Sequence, residues 1–169
     1  MTPLTLAMRN ELARDPEMRA LLGSSPKWDT WIFVDQPEVK IENTQKCLIV
    51  LDVYEPWASQ NLHNTMEFPT VIVDVWADPT RNPDNSVKVD DAELKIDRIN
   101  KVLKKHFHTA NLSRPGGGFL QWGTQEQIDS GTGVWVNGSH TLDGPRYSEV
   151  ANVPGVSVAS YRFAVNLIS

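Results

Sequence analysis

Four histidines, a scatter of aspartates and a triple glycine are the residues whose types could do chemistry in this chain. His106 and His108 stand two apart, so a continuing helix would point them ~200° from one another, whereas a shared metal ion needs a three- or four-residue step. No metal site is expected there. His63 and His140 could each borrow Asp52, Asp74 or Asp143 as a partner, but no spacing joins them into a nucleophile, base and orienting group. Asp74, Asp78 and Asp84 could gather round a divalent ion, yet Asp78-Pro79 and Asn82-Pro83-Asp84 suit turn initiation, the commoner task of such residues. Gly116, Gly117 and Gly118 sit in neither phosphate-binding glycine pattern and read as a bendable connector. Cys47 is the only cysteine, which excludes an internal disulfide and a cysteine-built metal cluster and points to synthesis in a reducing cytoplasm. No catalytic residue, metal or cofactor is expected, and the chain reads as a non-enzyme.

For any single tryptophan core packing is the first reading, but several outside core patterns raise the interface reading for the protein as a whole. Six tryptophans in 169 residues is a high count, and Trp57, Trp122 and Trp135 fall in or beside loops rather than in core patterns. Tryptophan outside a core often anchors an interface. Those three, with His63 from the same polar loop as Trp57, are the candidate interface residues. The basic face formed by Lys95, Arg98, Lys101, Lys104 and Lys105 reads first as a solvated helix face, with nucleic-acid contact as the lesser alternative.

Positioning these residues falls to a modest set of elements. Leu4, Ala7, Met8, Leu12, Met18, Leu21 and Leu22 recur mostly at three- and four-residue steps, predicting one or two helices over 4–22 with a break at Asp15 before Pro16 and a stop at Gly23. Residues 31–34, 47–54 and 67–76 read as strands, the last two joined by a ten-residue polar loop, 56–65, at the tip of an extended hairpin. Asp90 and Glu93 have capping-box spacing at the head of a helix over 90–107, with Ala92, Ile96, Ile99, Val102, Leu103 and Phe107 on one face. After the triple glycine, 119–122 and 134–136 are short strand candidates, and 155–168 alternates as a long antiparallel strand. Grouped strands rather than strict alternation with helices predict an α+β domain. Its sheet would be mainly antiparallel, with the N-terminal and central helices on one face.

Composition narrows the function class. Apolar residues make up 40% and charged residues 22% of one domain-sized chain, spanning 1–169. The longest apolar run, 47–51, is far below the ~20 residues needed to cross a bilayer, so no membrane role is expected. Net charge is −5, and residues 1–83 carry 12 acidic against 7 basic groups. That balance argues against gripping a phosphate backbone, though not against a surface that DNA slides past.

An opening helix ending Met-Arg-Ala-Leu-Leu-Gly, paired strands ending Val-Ile-Val-Asp-Val-Trp-Ala-Asp, the helix 90–107 and the closing strand Val-Ala-Ser-Tyr-Arg-Phe-Ala-Val together resemble a family. It is the tail terminator (tail completion) family of long, non-contractile-tailed bacteriophages. The resemblance covers nearly the whole chain and rests on element order. It implies a structural virion protein, made in the host cytoplasm, that forms a hexameric ring at the head-proximal end of the tail. Its partners would be further copies of itself, the tail tube protein and the head-tail connector or stopper, with genomic DNA passing through unbound. Asp35, Glu38 and Glu42 are candidates for lining that channel, where like charge would keep DNA from adhering. The polar, Gly- and Ser-rich stretch 121–155 departs from the shortest members as an insertion. The alternatives are another connector, stopper or tube ring protein, a small metal-dependent hydrolase, or a host-directed binding module using its tryptophans.

Overall fold

The computed structural model describes residues 3–23, 31–34, 47–55, 66–67, 69–108, 120–149 and 155–168. It is a mixed α+β fold with a mostly antiparallel sheet, as the grouping of elements predicts.

The N-terminal helical stretch breaks at the expected place. Helix α1 (Pro3–Arg14) ends before Asp15, whose carboxylate accepts the Glu17 amide at 2.8 Å and so caps α2 (Pro16–Leu22). Pro16 occupies the first position of α2, where its missing N–H costs nothing. Leu4, Ala7, Met8 and Leu12 form the buried stripe of α1.

Strands β1 (Ile32–Val34), β2 (Cys47–Glu55), β4 (Thr70–Ala77), β9 (Ser157–Ile168), β8 (Val134–Glu149) and β7 (Leu120–Trp122) lie side by side in that order. Only β1 runs parallel to its neighbour. The predicted strand 67–76 begins as the two-residue β3 (Met66–Glu67), and both β3 and β4 pair with β9. Pro69, which has no amide proton to give, still accepts the Val165 amide between them. Alternation sends Val71, Val73, Val75 and Ala77 to one face, opposite Phe163, Tyr161, Ala159 and Ser157 in register, and most of these are buried. The expected hairpin tip, 56–65, lies outside the described residues.

Helix α3 (Ala92–Phe107) lays Ile96, Ile99, Leu103 and Phe107 onto that face, against β4, β9 and β8. Its start corrects the expectation. The N-cap is Asp91, and its side chain makes no capping bond because it is engaged elsewhere. Helix α1 touches both β1 and β7, the opposite edges of the main sheet path, so the sheet curls around it.

Where it is described, the 121–155 stretch is built largely of regular elements. It contains β7, the short helix α4 (Gln125–Ser130) and the 16-residue strand β8, where only a three-residue strand was expected. The extended hairpin the structure describes is β8–β9. A small second sheet, β5 (Thr80–Arg81) with β6 (Val87–Val89), was not foreseen. No described helix is long and apolar enough to cross a membrane.

Candidate interaction surface

The β5–β6 hairpin adds little to the core, since β6 is exposed throughout, yet it is held firmly. Asp91 accepts both the amide and the hydroxyl of Thr80 at 2.7 Å, which is why its carboxylate does not cap α3. Arg81 grips Asp78 through Nε at 3.0 and 3.1 Å, and Lys95 donates to the Asp78 carbonyl at 2.7 Å. At the turn, Asn85 takes a positive φ of 71°, and Ser86 donates its amide to Asp84 at 3.0 Å. What this clamp presents is apolar: Val87 is 40% exposed, Val89 50%, and Leu94 on the first turn of α3 51%. Asp84, Asp90 and Glu93 are exposed alongside.

A second exposed apolar group lies far from the first. Trp135, 39% exposed, pairs with Gln121, and its neighbour Val136 pairs with Leu167 near the end of β9. Val87 belongs to the opposite end. A Cβ built on Gly155, just before β9, would fall 3.2 Å from its Cγ2, and the positive φ of 83° there favours glycine anyway. Ten residues of strand separate the two ends, about 33 Å. Between them β8 exposes Leu142 and Tyr147. The Tyr147 hydroxyl donates to Asp97 on α3 at 2.7 Å, and burial with that carboxylate pushes its pKa up to about 12.

Of the predicted interface residues, Trp135 is on the surface and Trp122 is not. Trp122 is 1% exposed, edge-on to Phe107 at 5.1 Å, because pairing with Val134 turns it to the core face. Buried within one chain, it cannot anchor a partner. Trp57 and His63, and the channel candidates Asp35, Glu38 and Glu42, lie outside the described residues.

The titratable groups weighed for chemistry are dispersed. Asp74 accepts the Ser160 hydroxyl at 2.5 Å, Asp78 holds Arg81, Asp84 serves its own turn, and Asp143 pairs with Arg146 at 2.5 Å. His140 is exposed on β8, opposite Ala164. His108 accepts the Thr141 amide through Nδ1 at 2.9 Å, while His106 turns to a different set of partners.

That set, like the Asp78, Arg81, Asp91 and Lys95 clamp, is a charged cluster that the sequence did not signal. The His106 ring lies between two buried carboxylates, with Nε2 2.7 Å from Asp15 and Nδ1 3.7 Å from Glu11. Lys105 reaches Asp15 at 2.8 Å, and Arg14 pairs with Glu11. Burial opposes charge on His106, but the Glu11 and Asp15 carboxylates outweigh it and raise its pKa. Burial likewise works against ionised Asp15, and the Lys105 and His106 bonds overcome it, holding that carboxyl well below the usual range. The carboxylates face opposite nitrogens of one ring, so the three cannot converge on an ion. No metal-holding group of three occurs among the described residues. The arrangement instead ties the α1–α2 junction to the end of α3, and nothing nucleophilic joins it.

Three buried polar atoms have no hydrogen-bond partner among the described residues: Asn100 Oδ1 on α3, Thr141 Oγ1 on β8 and the Tyr161 hydroxyl on β9. Burial raises the Tyr161 pKa, so its proton stays on.

No protein-family model matches this sequence, and a search of curated proteins returns no match.

Proposed function

We propose that this chain is a structural subunit of a ring that caps the tail tube of a long-tailed phage, ends tube polymerisation and joins the tail to the head connector. The observation that carries the reading is the pair of unlike apolar exposures at the two ends of β9: Val87, Val89 and Leu94 on the clamped hairpin side, Trp135 on the other. A ring needs heterologous contacts, in which one patch meets a different patch on the next copy or on a neighbouring ring. Two separated, dissimilar adhesive surfaces on one small domain meet that requirement. The resemblance in element order to tail terminators supplies the particular ring.

Electron microscopy of particles from infected cells lacking this gene tests the reading. Overlong tails unattached to heads are expected. Tails of normal length that fail to join heads would shift the assignment to a connector or stopper, and intact infectious virions would overturn it.

A further inference from the structure

We infer that the hairpin end of one copy, Val87, Val89 and Leu94 with Asp90 and Glu93, docks on the basic outer face of α3, at Arg98, Lys101 and Lys104, in the next copy of this chain. The inference deepens the ring reading and rests on it for the closure of the assembly.

Charge is divided along one helix. Asp90 and Glu93 stand at its head, and about 16 Å further along, at the 1.5 Å rise of a helix, comes Lys104. Arg98, Lys101 and Lys104 are exposed and make no ion pair among the described residues, whereas Lys95 and Lys105 are paired. A helix dipole accounts for cations only in the last turn, which here begins at Lys104. Arg98 and Lys101 lie beyond its reach, so neither the dipole nor an ion pair among the described residues engages them. The acidic complement is carried by the same chain at the head of the same helix, so a second copy turned to bring its helix head over this face sets acid against base. A phosphate backbone would satisfy the cations but would leave the three apolar side chains in water. It would also have to approach a chain of net charge −5. A second copy offers carboxylates to the cations and covers the apolar side chains with the aliphatic stems of Arg98, Lys101 and Lys104, and the polar clamp on the hairpin keeps its apolar surface preorganised for that contact.

Sedimentation of the purified protein across concentration and salt reads this contact. Self-association should weaken as salt rises. K101E/K104E and D90K/E93K should each weaken it by about tenfold. Mixing the two variants should restore association, because each then offers the other an opposite charge at both joints. Restoration also shows that both fold. A protein monomeric up to millimolar concentration, association indifferent to both pairs, or a mixture no better than its components would overturn the inference. So would a monomer that binds a short DNA duplex through Lys101 and Lys104. Normal tails in the gene deletion, with charge-dependent self-association intact, would retire the tail reading alone. Overlong tails with a monomeric protein would retire this contact alone.

Discussion

His106 shows how a residue suited to catalysis serves structure when its neighbours are already committed. Asp15 and Glu11 favour the charged form of its ring, and Lys105 and Arg14 balance those carboxylates, so the group holds two chain segments together. A raised histidine pKa contributes stability that is complete below the ordinary value of 6.5 and is lost as pH rises through the folded value. The depressed Asp15 pKa contributes stability that is complete above its ordinary 3.8 and is lost as pH falls through the folded value. The cluster therefore supports the fold most between those two ordinary values. His106→Gln should flatten the alkaline limb of a melting-temperature profile and also soften the acid limb, because His106 is one of the partners that depress Asp15, while Lys105 and the Glu17 amide keep part of it in place. A profile with the same alkaline slope as the parent would show that His106 is not charged in the folded state. None of this was legible beforehand. Glu11, Asp15 and His106 are more than 90 residues apart at their widest, and no local spacing marks a meeting that only the packing of α1 on α3 creates.

Among elements, legibility followed periodicity. Helices α1 and α3 keep a 3.6 period and strand β4 a 2.0 period, β2 is a continuous apolar run bounded by polar residues, and the predicted positions of these elements and of α2 and β9 agree with the structure to within a few residues. Strand β8 keeps no such period. Its core-facing residues are Val136, Ser139 and Thr141, opposite Leu167, Val165 and Phe163, and Gly144-Pro145 lies across from Tyr161. Three register shifts thus spoil the alternation, and residues such as Gly138, Gly144 and Pro145 imitate turns. A Cβ at Gly144 would fall 2.7 Å from the Ser160 carbonyl, and its φ is 113°, so that apparent loop glycine is required by a close strand approach. The same bulges roughen the edge that β8 leaves beyond β7, which discourages strand addition and leaves association to side chains. The β5–β6 hairpin was missed because two- and three-residue strands carry no period, and Asp91 was read past because its neighbour Asp90 had the capping spacing. Asp91 is the clamp of that hairpin. Asp91→Ala should remove two hydrogen bonds and cost about 1–2 kcal/mol. In hydrogen exchange, residues 78–91 should lose protection while the amides of β4 and β9 keep theirs. Uniform loss across the sheet would instead make Asp91 part of the global fold.

At the scale of the molecule, the sheet is closed upon α1 by bonds to both of its edges. Arg9 donates to the Ile32 carbonyl at 3.0 Å on one side, and Arg14 donates to the Gly123 carbonyl at 3.1 Å beyond β7 on the other. Among the described residues the exposed large apolar side chains are Leu6 on α1, Leu142 and Tyr147 along β8, and Val87, Val89, Leu94 and Trp135 where elements project or end. The two tryptophans near residue 120 to 135 then separate folding from assembly. Both looked alike in sequence, each beside a glycine-rich turn, yet one faces α3 and the other faces out. Trp122→Ala should cost about 3–5 kcal/mol in denaturant unfolding, the usual price of an emptied aromatic site. Trp135→Ala should stay within about 0.5 kcal/mol of the parent. On the ring reading proposed above, complementation of the gene deletion should reverse their order of interest: the Trp135 variant, folded and present, should leave tails overlong or unjoined. If Trp135→Ala restores normal particles as well as the parent does, the far end of β9 is ordinary surface, and the adhesive patches of the ring must be sought elsewhere.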